Sequence, residues 1–388
     1  MLSGKKILII GSYYFENLGD PLFMLTTKKI LEERYNASVD IADLFGRKKI
    51  DTSASSAVEK NKVSKAKKLV KKLLRAPYTI YTKLVRKKKL EKLYENMIIG
   101  YDAVVIPGGG FISFSRTFPY HNNIYALEKM CKKHNIDFCM NAVGVCRDVD
   151  ALFHKKIWKK ILNHKSLKYI SCRDGKELIE QVGGYSVEQV SCTAVSAGDF
   201  FKIYHNKSSE TIGIGVIRGN AFSSYGYDLS EEKLIDFYVE LGKSLQSLGY
   251  KIKYFTNGLM TDYVIGQRVV AKLNDETLLM RRAETPEELI KQISEFKAVA
   301  VARLHAAITA FSLDVPTVLF CWGVKGQDFM RMTNAAEYMV TAENMNVEYV
   351  INRIVSVISN GWDQEQRKKV QDYAEKSILA MCTAISNK

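Results

Sequence analysis

The strongest constraint on the fold is an alternation of short apolar strands and amphipathic helices, which runs along the chain in two series. The first series begins with a strand at Lys5–Ile10, and the second begins with a strand at Thr211–Ile217. Neither series contains the short turns that join antiparallel hairpins, so each predicts a doubly wound parallel sheet. We therefore predict an α/β protein with two Rossmann-like domains facing a cleft, at residues 1–205 and 206–388.

Composition excludes several classes of protein. The chain has 388 residues, of which 47% are hydrophobic and 26% are charged, as in ordinary globular proteins. No apolar run reaches the roughly 18 residues of a membrane-spanning helix, and the first apolar stretch is too short for a signal peptide. Seven cysteines without a CxxC pair argue against a disulfide framework and a structural zinc site. These features predict a cytoplasmic protein.

The positive charge is concentrated in one segment, residues 60–92. This segment holds fourteen Lys or Arg and one acidic residue, Glu91, so it carries +13 of the total net charge of +15. Apolar residues in Lys60–Arg75 fall at helical spacing, and we expect Pro77 to end that helix. A basic amphipathic helix favours an anionic membrane surface. A helical hairpin packed on the domain is the second interpretation, and nucleic-acid binding is the third and least favoured.

Charged side chains and an imidazole follow two strands of the second series. Arg303 and His305 come directly after the apolar run Ala298–Ala302, and Lys325 follows the next buried strand, Val315–Cys321. Open α/β sheets bind ligands at the carboxyl ends of their strands, where helix N-termini also offer N–H groups to anions. This segment therefore predicts an anion site, although a buried strand with ordinary charged ends is an equal alternative.

Three loops of the first series also follow strands. The loop Gly11–Asp20, GSYYFENLGD, has neither GxGxxG nor GK[ST] spacing, so it indicates neither a dinucleotide site nor a P-loop. Within this loop Asp20 is predicted to be the N-cap of a helix at Pro21–Arg34. Pro107–Gly110, PGGG, allows close approach of backbone to a ligand. Ser171–Asp174, SCRD, places Arg173 at another strand end.

A metal is not predicted. Asp148 and Asp150 match the DxD pattern of metal-dependent sugar-nucleotide sites, but we expect them to cap a following helix.

These motifs, GSYYFENLGD, PGGG, SCRD and RLHAAITA followed by VP and Lys325, together resemble the polysaccharide pyruvyl transferase family. The resemblance covers roughly residues 5–335. It implies a GT-B-like pair of Rossmann-like domains and transfer of a pyruvyl group from phosphoenolpyruvate to a sugar, with formation of a cyclic ketal and release of phosphate. No cofactor is implied, because phosphoenolpyruvate is a co-substrate. The family's first motif usually reads N-x-G-D-E, and Pro21 stands here in place of the acidic residue.

The resemblance assigns roles to the strand-end residues. The catalytic acid would be His305, because an imidazole titrates near neutral pH. The 206–388 domain would be the phosphoenolpyruvate side, and the cations Arg173, Arg303 and Lys325, on three strand-end loops, would converge on this co-substrate. The sugar acceptor would lie on the 1–205 side, against Asn17, Asp20, Gly109, Gly110 and His121.

The partners and the activity leave alternatives open. A polyprenyl-diphosphate-linked acceptor at the inner face of the cytoplasmic membrane would suit the basic segment 60–92. A GT-B glycosyltransferase that uses a sugar nucleotide is the competing enzyme. A non-catalytic adaptor for membranes or nucleic acid, built around the basic segment, is the competing hypothesis of another class.

Overall fold

The computed structural model describes five stretches of the chain, residues 2–50, 75–114, 120–146, 154–219 and 229–386. Within the helix that begins at Arg75, side chains are described from residue 85 onward. Residues 60–74 of the basic segment, the side chains of its residues 75–84, and Asp148 and Asp150 therefore lie outside the described residues. Across these stretches, no helix is long and apolar enough to cross a membrane.

Six described strands between residues 6 and 189 form a parallel sheet in the order β2-β1-β3-β5-β7-β8. Their bounds are β1 Lys6–Gly11, β2 Ser38–Asp43, β3 Ala103–Ile106, β5 Asp137–Val143, β7 Leu167–Cys172 and β8 Glu188–Gln189. Two short strands, β4 Ile112–Ser113 and β6 Val145–Cys146, pair separately. Every residue of β3 and β5 is buried, as expected for central strands of a parallel sheet covered by helices.

Five helices alternate with these strands in the described residues. They are α1 Gly19–Tyr35, α2 Arg75–Ile98, α3 His121–Lys133, α4 Lys155–Leu162 and α5 Lys176–Gly183.

Two helix-end predictions for this half are wrong. Asp20 is not an N-cap, because α1 begins at Gly19 and the N–H of Leu22 already donates to the carbonyl of Leu18. Its carboxylate lies in the first turn, where the helix dipole still favours it. Pro77 does not end a helix, because it lies within α2, which is described from Arg75 and continues to Ile98.

Five described strands of the second series form another parallel sheet, in the order β10-β9-β11-β12-β13. They are β9 Thr211–Gly215, β10 Lys251–Phe255, β11 Ala298–Val301, β12 Thr317–Phe320 and β13 Met339–Val340. From β9 the chain passes to one edge at β10 and then returns to the other side of β9 at β11. The strand order therefore reverses between β9 and β11, and a crevice at their carboxyl ends is where open α/β sheets bind ligands.

Eight helices of this series are described, and two of them, at Ala197–Phe201 and Val324–Met332, were not predicted from the sequence. The eight are α6 Ala197–Phe201, α7 Glu231–Ser247, α8 Met260–Leu273, α9 Pro286–Ser294, α10 Leu304–Ser312, α11 Val324–Met332, α12 Val347–Asn360 and α13 Gln364–Ser386. Side-chain caps fix several starts: Ser230 accepts from the N–H of Lys233, Thr285 from that of Glu288, and Asn346 from that of Tyr349.

Contacts group the chain into two compact units that a single division at residue 205 does not reproduce. The first unit comprises Met1–Tyr14, Leu31–Gln189 and Ile378–Lys388, and the second comprises Phe15–Ile30 and Val190–Ser377. The second half of the N-terminal motif, from Phe15, and the start of α1 thus pack with the second series, although they precede most of the first in the sequence.

A buried carboxyl group in α3 predicts a pH-dependent stability. Glu128 is fully buried, its carboxyl oxygens have no hydrogen-bond partner among the described residues, and burial raises its pKa to about 9. The Glu128 carboxyl ionises from about pH 4.5 in the unfolded chain but only near pH 9 in the folded chain. The free energy of unfolding therefore falls progressively as the pH rises from 4.5 to 9. We expect Glu128→Gln to leave the free energy of unfolding unchanged at pH 4 and to raise it by on the order of 4 kcal/mol at pH 8.

Urea unfolding at a series of pH values measures this difference. The exposed Glu33 of α1 provides the control, since Glu33→Gln should have little effect at any pH. A gain at pH 8 that persists unchanged at pH 4 would show that the effect does not come from ionisation.

Candidate active site

His305 lies in the first turn of α10, directly after β11, and is 8% exposed. Its ring packs against the start of α1, with 5.6 Å between the ring centroids of His305 and Phe23. Gly19 lies even closer, because a Cβ built on it would stand 2.1 Å from Nδ1 of His305. The N-terminal motif and the RLH motif, far apart in sequence, therefore form one site within the second unit.

Arg303 is held by a buried carboxylate that the sequence did not single out. As the N-cap residue of α10 it has extended backbone, and its side chain reaches the first turn of α8. There Nε and one Nη donate to the two carboxylate oxygens of Asp262 at 2.8 and 2.9 Å, a bidentate geometry. Burial lowers the pKa of Arg303, and Asp262 opposes that shift. The charge of Arg303 is thus largely balanced, which limits what it contributes to an anion by itself.

Arg218 is a second arginine at the same sheet edge, and it was missed in the sequence. It follows β9, its backbone N–H donates to Asp262 at 3.2 Å, and its Nη1 donates to Thr261 at 2.8 Å. Arg218 and Arg303 repel each other, which contributes to the lowered pKa of Arg303. Asp262 thus links the carboxyl ends of β9 and β11, because it accepts from the backbone N–H of Arg218 and from the guanidinium group of Arg303.

The loop after β10 adds polar groups to this edge. Asn257 donates from Nδ2 to Oδ1 of Asn17 at 2.5 Å, and the N–H of Met260 donates to Glu16 at 3.2 Å. One oxygen each of Glu16, Thr256 and Asn257 is buried without a hydrogen-bond partner among the described residues. Buried acceptors of this kind are costly unless a ligand satisfies them.

Lys325 lies in the first turn of α11 rather than in a loop. It lines a cavity of about 80 Å³ together with Ala302, Leu304 and Trp322, beside the start of α10. The indole of Trp322 donates to the carbonyl of Ala302 at 2.7 Å and so fixes this wall. The structure thus brings Asn17, Arg303, His305 and Lys325 into the second unit, along with Asp20 in the first turn of α1.

The remaining predicted residues lie in the first unit. Nε of Arg173 donates to Asp174 at 3.1 Å, and Asp174 also accepts from the N–H of Val145 at 2.7 Å. The backbone of Gly144 lies against the Asp174 carboxylate, because a Cβ built on Gly144 would stand 2.7 Å from Oδ2 of Asp174. The N–H of Gly144 donates to the carbonyl of Gly109, which links the SCRD and PGGG motifs through this strand end.

The PGGG turn leads on towards His121. Gly109 has a φ of +82° and lies over the ring of Phe111, whose centroid is 5.7 Å from that of Tyr120. Gly110 completes the turn, and Tyr120 is the N-cap residue of α3, so His121 is the first residue of that helix.

Comparison with known proteins decides the family. A family model described as polysaccharide pyruvyl transferase matches residues 17–322, most of the chain. The protein belongs to the polysaccharide pyruvyl transferase family. The match contains every predicted site residue except Lys325, and membership makes the protein a transferase whose acceptor is a polysaccharide or sugar. No match was found among curated proteins.

Solved structures show the fold of this pyruvyl transferase family member. It is similar to UDP-GlcNAc 2-epimerase from Methanocaldococcus jannaschii, at 12% identity over 98% of this chain and 99% of that chain, with a TM-score of 0.59. It is also similar to a putative UDP-N-acetylglucosamine 2-epimerase from Listeria monocytogenes, at 11% identity over 98% of this chain and 95% of that chain, with a TM-score of 0.54. A third similar structure is UDP-GlcNAc 2-epimerase from Neisseria meningitidis, at 10% identity over 99% of this chain and 100% of that chain, with a TM-score of 0.52. The predicted pair of Rossmann-like domains of the GT-B type is confirmed.

Proposed function

We propose that the protein transfers the pyruvyl group of phosphoenolpyruvate to two hydroxyls of a hexose, and that His305 is the proton donor. The supporting observation is the position of His305, in the first turn of α10 at the point where the strand order of the second sheet reverses, on the same sheet edge as Arg218 and Arg303. A titratable imidazole at a sheet edge with two arginines suits an anionic substrate that must be protonated.

Positive charge at this edge accounts for the choice of co-substrate. Phosphoenolpyruvate carries a carboxylate and a phosphate on adjacent atoms, so it needs several cations or helix N-termini close together. Arg218, Arg303 and Lys325 place cationic side chains after β9, β11 and β12, and α10 presents its N-terminus. Arg173 remains a predicted fourth cation from the SCRD motif.

The reaction balances with these groups alone. His305 gives a proton to the enol methylene of phosphoenolpyruvate, which becomes a methyl group and leaves C2 electrophilic. One sugar hydroxyl attacks C2 and gives its proton to the now neutral His305, the bond from C2 to the phosphate oxygen breaks, and inorganic phosphate leaves. A second hydroxyl then forms the other C–O bond of the ketal and releases its proton to the phosphate.

The acceptor side of the proposal rests on fewer contacts. Asn17 and Asp20 are proposed to face the sugar from the start of α1, and Gly109, Gly110 and His121 to do so from the first unit. A lipid-linked glycan at the inner face of the cytoplasmic membrane fits the basic segment 60–92, whose run Arg86–Lys89 is exposed. We propose a cytoplasmic enzyme that requires no cofactor or metal.

Phosphate release tests the proposal. The protein is incubated with phosphoenolpyruvate and a panel of galactosides or lipid-linked glycans, and in parallel with sugar nucleotides and the same acceptors. We expect inorganic phosphate with phosphoenolpyruvate only, and an acceptor mass gain equal to one pyruvyl ketal. Nucleoside diphosphate release without pyruvyl transfer would favour a GT-B glycosyltransferase instead.

A further inference from the structure

A second basic cavity lies in the first unit, between α2, α3 and α4. Its volume is about 560 Å³, within the range of small-molecule sites. Its charged and titratable lining consists of Arg86, Lys87, Glu91, Lys129, His121 and His154. We name it the α2–α4 cavity. Nothing in the proposed transfer of the pyruvyl group uses it, apart from the prediction that His121 faces the acceptor.

The ion pairs of this cavity leave an excess of positive charge. Lys129 and Glu91 are 2.6 Å apart and balance each other. Among the described residues, Arg86 and Lys87 make no ion pair, and both are exposed on the α2 side of the cavity. Two unbalanced cations on successive residues attract a ligand with at least two negative charges.

Two stacked histidines form the opposite wall. The ring centroids of His121 and His154 are 3.9 Å apart, with 26° between the ring planes. His121 is only 4% exposed, and its Nδ1 is buried without a hydrogen-bond partner in the described chain. Such an atom costs on the order of 1–3 kcal/mol, which a ligand atom at hydrogen-bond distance would recover.

Other lining groups distinguish between ligand classes. The described residues contain no group of three metal-ligating side chains, so the histidine pair lacks the partners that a metal needs. Tyr125, Leu90 and Ile157 give the cavity an apolar side next to the cations. That combination suits an anionic head group joined to a less polar body.

We propose that the α2–α4 cavity binds the phosphate or diphosphate group of an esterified ligand, with Arg86 and Lys87 on its oxygens and His121 donating a hydrogen bond from Nδ1. The ligand becomes the phosphate-bearing end of the acceptor if the proposed function holds, and the anion site itself does not depend on that function.

Binding of such an anion takes up a proton. Burial, His154 and Arg86 together lower the pKa of His121 to about 4, so the imidazole is neutral in the empty cavity near pH 7. The groups facing it are Arg86, Lys87 and the Lys129–Glu91 pair from α2 and α3, and His154 from the start of α4. A phosphate dianion beside the ring offsets the positive charge of the surrounding cations and raises the pKa of His121. The affinity of the cavity for the anion should therefore rise as the pH falls from 8 to 6.

Calorimetric titration with inorganic pyrophosphate, without phosphoenolpyruvate, tests the site. Arg86→Gln combined with Lys87→Gln should weaken binding by about tenfold or more, as expected for two charge-assisted contacts. Lys88→Gln combined with Lys89→Gln is the matched control, because these exposed neighbours on α2 do not line the cavity, and it should change the Kd by about twofold or less. His121→Phe keeps the stacked wall and should abolish proton uptake on binding.

The source of the phosphate is distinguished by two further titrations. Geranyl diphosphate represents a lipid-linked diphosphate, and vesicles of phosphatidylglycerol represent a membrane surface. Tighter binding of geranyl diphosphate than of pyrophosphate, weakened by the Arg86 and Lys87 changes, supports an ester in the cavity. Absence of pyrophosphate binding, equal weakening by both double variants, or binding to vesicles alone would overturn the site. Because no turnover is measured, a failure of pyruvyl transfer leaves this result intact, and the converse also holds.

Discussion

Replacing His305 by glutamine should lower pyruvyl transfer by about 10²–10⁴-fold, the contribution of a well-placed general acid. Glutamine keeps polar atoms at the end of the side chain but carries no titratable proton. The cations at the ends of β9 and β11 remain, so the loss should fall on kcat while the KM for phosphoenolpyruvate changes little. Steady-state phosphate release at saturating phosphoenolpyruvate measures the effect.

A matched histidine in the same unit separates chemistry from folding. His205 is half-buried and its Nε2 lies 2.9 Å from the carbonyl of Phe296, away from the strand-end cluster. His205→Gln should cost some stability and leave kcat unchanged, whereas His305→Gln should keep a native Tm and lose activity. Turnover of the His305 variant within a few-fold of the parent protein would remove His305 from the reaction.

Local patterns were sufficient to predict most helices and strands. The strands predicted at Ala298–Ala302 and Val315–Cys321 are observed as β11 Ala298–Val301 and β12 Thr317–Phe320, because a short apolar run marks each of them. Helix starts are well marked where a capping side chain precedes them, as Thr285 precedes Pro286. Helix starts without such caps were displaced, as at α1, where backbone hydrogen bonds rather than Asp20 set the first turn.

The composition of the candidate site was only partly predictable. Arg218 follows an apolar strand as Arg303 does, so the same strand-end argument, applied to β9, would have found it. Asp262 gave no such signal, because a carboxylate in the first turn of a helix is ordinary in sequence and its pairing with Arg303 depends on tertiary packing. For the same reason the packing of residues 15–30 with the second unit could not be read from their place in the chain.

Gly19→Ala should displace His305 and abolish activity, although alanine is normally the better residue in a helix. The gain in helix propensity is at most about 1 kcal/mol. The added Cβ would stand 2.1 Å from Nδ1 and 2.4 Å from Cβ of His305, and both the ring and its attachment to α10 are buried. Overpacking of this kind costs about 1–3 kcal/mol or more, so the clash outweighs the propensity.

A double-mutant cycle with His305→Gly isolates the cause of this effect. Glycine at position 305 lacks all three of the His305 atoms that stand nearest to the new Cβ, so Gly19→Ala should lower the Tm much less in that background. A coupling free energy of about 1 kcal/mol or more between the two changes is therefore expected from thermal unfolding. An additive cycle, or an active Gly19→Ala protein, would mean that α1 does not pack against His305. Because the ring of the RLH motif leaves no room for a Cβ at Gly19 of the N-terminal motif, the two motifs pack as a single structural unit.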